Sequence, residues 1–219
     1  MKLLSVGSDA KTPKGEKLGY LTAIMYLAPF NLSGTNICPM AELAKCHAPC
    51  LNTAGRGVMS NVQKSRLAKT RFYLDDRPAF MAQLRKEIKA FEKKCKKDGF
   101  KPAVRLNGTS DIRWETTGIM DEFPDIQFYD YTKIPNRKNL PANYSLTWSY
   151  SGANERYVEM RPDSYNWAVV FRDGLPSTFK GRKVIDGDET DLRFLDPKGV
   201  VVGLKAKGKA RKDQSGFVV

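Results

Sequence analysis

Histidine is nearly missing from this chain. His47 is the only one in 219 residues and stands between Cys46 and Cys50, which leaves no Ser-His-Asp arrangement for hydrolase chemistry. Long apolar runs are missing too. The most apolar stretch, residues 20–30, contains Thr22 and ends at Pro29 and Phe30, well short of the roughly 20 residues a membrane-spanning helix needs. Met1-Lys2-Leu3-Leu4 passes directly to Ser5 and Gly7 without the apolar segment of a secretory signal, so the chain is expected to stay where it is made. There is no phosphate-binding loop of the G-x4-G-K-[ST] type, and Gly55-Arg56-Gly57 is too short for a dinucleotide fingerprint. Asp186-Gly187-Asp188 lacks the further glycine and distal glutamate of a calcium loop. With no internal repeat, no low-complexity block and no linker rich in Pro, Gly and Ser, one domain over residues 1–219 is expected.

Acidic residues are scarce as well: 24 against 37 Lys and Arg, a formal charge of +13 that favours a polyanionic partner such as nucleic acid. Two basic clusters stand out. Lys93, Lys94, Lys96 and Lys97 end a helical stretch, and Lys205, Lys207, Lys209, Arg211 and Lys212 crowd a C-terminal tail, 205–219. Each also has a plainer reading, as cations complementing a helix dipole or as a solvated tail.

What is present is a core. At 41% hydrophobic and 11% aromatic residues the composition is that of a folded globular protein. Apolar runs at 21–27, 103–106, 126–129, 144–148, 168–171, 184–185 and 200–204 read as strands, several without the alternation of a half-exposed sheet, which favours a parallel one. Helix-compatible segments lie between them at 57–98, 112–122, 152–160 and 189–194. In the first, Phe80, Leu84, Ile88, Phe91 and Cys95 recur every three or four residues, the stripe of an amphipathic helix that assigns Cys95 to the core. Strand and helix in alternation predict an α/β fold, either an open doubly wound sheet or a barrel, and the strand number fits a parallel-stranded partial (β/α) barrel better than a complete one.

In such a fold the active face lies at the carboxyl ends of the strands. Polar residues follow the runs repeatedly: Asn107, Thr109 and Asp111; Asp130, Thr132 and Lys133; Ser149; Asp186 and Asp188; Lys205. Together they are candidates for one site for a small polar or anionic ligand. Asp111 and Asp188 are also plausible helix N-caps.

The loop after the first run carries the most specific signal. Cys38, Cys46 and Cys50, at C-x7-C-x3-C spacing within a loop at 36–57, are accompanied by Pro39 and Pro49, which keep the chain out of a regular helix. Without a secretory signal, clustered cysteines point to metal or redox chemistry before disulfides. Structural zinc wants four protein ligands and would need His47 or Cys95 to complete the set. A 4Fe–4S cluster on three cysteines leaves one iron open to a water, substrate or cofactor. The open-site cluster is the first expectation. A zinc-stabilised nucleic-acid-binding protein is the alternative.

The chain also resembles the phage gene-product-88 family. The likeness is carried by Leu4-Ser5-Val6-Gly7, the loop from Cys38-Pro39 to Cys50-Leu51 with Thr53-Ala54-Gly55-Arg56-Gly57, the block from Val104 to Asp111, Phe128-Tyr129-Asp130-Tyr131-Thr132-Lys133, and Val184-Ile185-Asp186-Gly187-Asp188. This resemblance implies a phage or prophage origin and a protein working in the host-cell cytoplasm. More distantly, the order of parts is similar to that of radical S-adenosylmethionine enzymes, partial parallel barrels with a three-cysteine loop after the first strand. That likeness implies a cluster on Cys38, Cys46 and Cys50, with residues 107–111 at the methionine end of S-adenosylmethionine, and a redox or radical enzyme.

Overall fold

The computed structural model describes residues 1–7 and 12–219. Its centre is one sheet of nine strands: β1 (Leu4–Val6), β2 (Tyr20–Met25), β3 (Lys101–Arg105), β4 (Gln127–Thr132), β5 (Tyr144–Tyr150), β6 (Trp167–Phe171), β7 (Thr178–Phe179), β8 (Arg182–Asp186) and β9 (Val201–Lys205). The spatial order is β1-β2-β3-β4-β5-β6-β9-β8-β7. From β2 to β8 every neighbouring pair is parallel. The two edges are short antiparallel strands, β1 on β2 and β7 on β8. They do not meet, so the sheet is open. All seven runs read as strands lie in its parallel part. The two missed strands are three and two residues long, too short for any period to register.

The helical expectations need more correction. Residues 57–98 are not one helix but two, α2 (Ser60–Asp75) and α3 (Arg77–Asp98), after the short α1 (Thr12–Glu16). Asp76 separates them. Its backbone leaves the helical region, and its carboxylate caps α3 by accepting from Ala79 N at 3.0 Å, with Pro78 in the first turn, where a missing N–H costs nothing. Gly99, at φ 76°, ends α3 in the left-handed conformation glycine tolerates. Residues 112–122 contain only a 3₁₀ turn, Trp114–Thr117; 152–160 form the five-residue α4 (Glu155–Glu159); 189–194 reach only a 3₁₀ turn at Arg193–Leu195. These crossovers bury their apolar side chains, Trp114, Ile119 and Met120 among them, without the length that makes a helix cooperative.

Side chains alternate between the two faces of the sheet. Leu21, Ala23 and Met25, Val104 and Leu106, Phe128, Leu146, Trp148 and Tyr150, and Val169 and Phe171 join Phe80, Leu84, Ile88, Phe91 and Cys95 of α3 in the main core. Cys95 is fully buried there. The intervening positions face a cavity on the other side. β1 is tied to this body by Glu87 of α3, whose carboxylate accepts from Leu3 N at 2.8 Å and Leu4 N at 2.8 Å, while Lys69 of α2 donates to Leu3 O at 3.0 Å.

The segment expected to be a basic tail, 205–219, folds back onto the sheet. After a 3₁₀ turn at Gly208–Lys212, Phe217 and Val218 are buried, and Val219 exchanges backbone hydrogen bonds with β6: its N–H donates to Val170 O at 2.9 Å, and its carbonyl accepts from Arg172 N at 3.0 Å. No described helix is long and apolar enough to cross a membrane.

Removing the Glu87 carboxylate strips β1 of its amide acceptor. Glu87→Ala is expected to lower unfolding free energy by about 1.5–3 kcal/mol, the range for hydrogen bonds to a charged group. Urea denaturation measures it, and a loss below about 0.5 kcal/mol would show that β1 is held otherwise.

Candidate functional site

A cavity of about 420 Å³ opens at the carboxyl ends of the parallel strands, within the size range of small-molecule sites. Its wall is built from alternate strand positions: Thr22 and Ile24 of β2, Arg105 of β3, Tyr129 and Tyr131 of β4, Ser149 of β5, Val170 of β6 and Leu204 of β9. Cys38, Cys46 and Cys50 all face it, as do Lys133, Lys205, Asp188 and Phe217.

The cysteine loop crosses the strand ends and is stitched to the loop after β3. Asp111 N donates to Ile37 O at 3.1 Å, and Thr109 Oγ1 donates to Leu27 O at 2.5 Å. Cys38 Sγ accepts from Phe30 N at 3.3 Å and lies 3.8 Å from Thr109 O. Cys50 Sγ accepts from Asn52 N at 3.5 Å, and Asn52 is in turn held by the buried Arg66. Cys46 packs with Ala210, Phe217 and Val218 of the folded-back tail. Burial pushes the Cys38 thiol up to about 12, and negative charge on Asp111, Cys50 and Cys46 would push the same way. Cys50 is also raised by burial, offset in part by the Asn52 amide and by the cations Lys133 and Arg66. Three thiolates here would repel one another in a poorly solvated wall, so as a ligand set they call for added positive charge.

His47 is exposed. Its Nδ1 is 3.3 Å from Ala41 O and its ring packs on Phe30, away from the cavity wall. Cys95 lies in the core on the opposite face of the sheet. Neither residue stands with the cysteine trio, and among the described residues no three His, Cys, Asp or Glu side chains are arranged to hold one metal ion.

Asn107 and Asp111, after β3, join Asp130 and Thr132 in one buried network; the latter two, expected after the strand, lie within β4, and Asp130 does not line the cavity. Asp130 accepts from Asn107 N at 2.8 Å, from Asn107 Nδ2 at 3.3 Å and from Tyr144 OH at 2.9 Å. Asn107 Oδ1 accepts from Ser110 Oγ, Ile112 N and Trp114 Nε1. Asp111 accepts from Thr132 Oγ1 and Lys133 N, both at 2.8 Å, with Arg137 3.6 Å away. The side chains of Asn107, Thr109, Asp111, Asp130 and Thr132 are thus engaged with the protein, and they fix the strand ends around the cavity. Burial pushes Asp130 up to about 7 against the pull of Arg105, the Asn107 amide and Arg137.

The remaining candidates divide. Lys133 projects along the wall, its Nζ donating to Ser149 Oγ at 2.6 Å and lying over the Phe217 ring at 5.5 Å. Among the described residues no carboxylate lies within ion-pair distance of it or of the exposed Lys205. Asp188 pairs with Lys207 Nζ at 2.7 Å, which neutralises that lysine. Asp186 is outside the cavity and accepts from Asp188 N at 2.7 Å within its turn.

Sequence reasoning missed the cavity floor. Arg105 pairs with Asp191 at 3.0 Å and lies over the Tyr131 ring at 4.7 Å, and Tyr129 OH donates to Asp191 at 3.4 Å. A charged or phenolic residue inside an apolar run, at the alternate position opposite the core, was the available signal.

Two outcomes test this construction. A Cβ on Gly108 would lie 2.6 Å from Met25 O, a backbone atom that cannot step aside, so Gly108→Ala is expected to cost about 1–3 kcal/mol in chemical denaturation. Between about pH 4 and pH 7 the folded chain keeps the Asp130 proton that the unfolded chain has released, so Asp130 makes stability fall as pH rises. Denaturation across that window should show a shallower fall in Asp130→Asn; an unchanged slope would mean that Asp130 is ionised throughout.

Comparison with curated proteins and with solved structures finds no match. The family model described as gene product 88 matches residues 2–219, and the chain belongs to the gene product 88 family.

Proposed function

We propose that Cys38, Cys46 and Cys50 hold a 4Fe–4S cluster with one iron free of protein ligands, and that a small polar or anionic ligand occupies the cavity beside it. The observation that carries this reading is that all three clustered cysteines line one cavity. In a cubane each thiolate binds its own iron, so the sulfurs need not converge on a point as they must around a single zinc. The donor set fits that demand: three soft ligands, with Arg66 and Lys133 near Cys50 to offset the negative charge. A cluster held by three cysteines supplies one-electron chemistry and an open coordination position.

The chain's own residues account for the rest. The network of Asn107, Asp111 and Asp130 holds the strand ends in register, the tail carrying Phe217 screens the Cys46 side from water, and Lys133 and Lys205 present positive charge to an incoming anion. The open sheet serves as a partial barrel wall around that space. S-adenosylmethionine is the ligand that the radical-enzyme resemblance implies. The side chains of residues 107–111 are occupied internally, which leaves their backbone as the surface such a ligand would meet.

Protein purified without oxygen should contain iron and acid-labile sulfide in near-equal amounts. Cys38→Ala, Cys46→Ala and Cys50→Ala should each lose the iron, while Cys95→Ala keeps it. Iron retained in Cys46→Ala, or zinc without sulfide in the unaltered protein, would sink the cluster. The S-adenosylmethionine version fails separately if the reduced, iron-loaded protein neither binds nor cleaves that compound.

A further inference from the structure

The solvent face of α3 carries a line of lysines. Lys86, Lys89, Lys93, Lys96 and Lys97 are all exposed and fall within an arc of about 100° at 3.6 residues per turn. The buried stripe of Phe80, Leu84, Ile88, Phe91 and Cys95 occupies the opposite side of the helix. The other exposed residues on or beside the lysine arc, Pro78, Ala79, Ala82 and Ala90, are uncharged. Of the nearby acidic groups, Glu87 is committed to the amides of Leu3 and Leu4, Asp98 to Lys94 and Glu122 to Arg85, while Glu92, beside the arc at four residues before Lys96, makes no ion pair with the lysines among the described residues. Among the described residues, none of the five lysines has a carboxylate within ion-pair distance.

A merely solvated helix face does not need this pattern. Lys86 with Lys89, Lys89 with Lys93, and Lys93 with both Lys96 and Lys97 are like charges at three- and four-residue spacing, which destabilise a helix. Complementing the helix dipole accounts for Lys96 and Lys97 in the last turn but not for Lys86 and Lys89, which lie two to three turns earlier. From Lys86 to Lys97 the line runs about 16 Å at 1.5 Å per residue, a rise along the duplex axis of about five phosphates per strand. The arc holds no aromatic side chain on which an unpaired base would stack, which favours duplex over single strand.

We infer that the exposed face of α3 is a docking surface for the sugar-phosphate backbone of duplex nucleic acid, bound without regard to sequence. The surface lies on the helical side of the sheet, opposite the cavity, and does not depend on any metal there.

The test is fluorescence anisotropy of the full chain with a short, arbitrary-sequence DNA duplex over a salt series. Binding should weaken steeply with salt, with a logarithmic slope of about −0.9 for each phosphate neutralised. Changing Lys86, Lys89, Lys93 and Lys97 to Gln together should weaken binding by about tenfold or more at equal salt and flatten the slope. A matched set removes the same charge from exposed lysines elsewhere: Lys17, Lys64, Lys138 and Lys198 to Gln. That set should stay within about twofold of the unaltered protein, since only direct phosphate contacts release counterions. Circular dichroism checks that both variants fold. Equal losses in the two sets would reduce the binding to diffuse net charge and overturn the assignment. No binding at low salt, or tighter binding to anionic lipid vesicles or polyglutamate than to the duplex, would overturn it too. Cys46→Ala should bind the duplex as the unaltered chain does, so failure of the cluster reading and failure of this one are distinguishable.

Discussion

The buried carboxylate of Asp130 is the point on which the cavity depends. It is almost wholly removed from water within β4, and such a group is tolerable only if every oxygen finds donors. Those donors are the backbone and side chain of Asn107 after β3 and the hydroxyl of Tyr144 at the start of β5. One carboxylate therefore fixes three neighbouring parallel strands. Because Asn107 spends its own carbonyl oxygen on Ser110, Ile112 and Trp114, the constraint spreads into the following loop, and from Asp111 it returns to β4 through Thr132 and Lys133. The cysteine loop leans on the same loop through Ile37, Leu27 and Cys38. The polar ring that looks like a binding site in the sequence is largely the frame of the cavity.

Much of the sheet was legible because the parallel strands are apolar on their core side and carry few charges on the other. The runs at 144–148 and 168–171, for example, announce β5 and β6 almost to their ends. The irregular course of residues 36–50 was legible because Pro39 and Pro49 keep that stretch out of a regular helix. The crossovers were not, since Trp114, Ile119 and Met120 bury their side chains from successive turns, a packing with no period to read. Arg105 and Asp191 were missed for a different reason. Arg105 sits inside an apolar run, and although Asp191 closes the polar segment after β8, nothing in the linear order joins it to a residue 86 positions away. The tail was misread because five basic residues outweigh two apolar ones in composition, whereas Phe217 and Val218 decide where it goes by removing apolar surface from water.

The two faces of the sheet divide the electrostatics. On one, cations converge toward a partly enclosed space where they meet neutral hydroxyls and rings, as Lys133 does with Ser149 and Phe217. On the other, α3 sends its lysines straight into solvent. A net charge of +13 is thus not spread evenly over the chain. Part is held near the strand ends, where low dielectric makes each charge count for more, and part lies along an outer edge, where added salt screens it.

The strand order carries a consequence for how the molecule is put together. β9 follows β8 in the chain yet lies between β6 and β8 in space. Until residues 201–205 arrive, the β7–β8 hairpin has nothing to join, and β6 is an exposed edge. The segment that then closes over β6 also brings Phe217 and Ala210 against Cys46. A growing chain therefore leaves Cys46 without its apolar cover until the segment after β9 has been made, while Cys38 and Cys50 take their backbone partners from nearby in the chain.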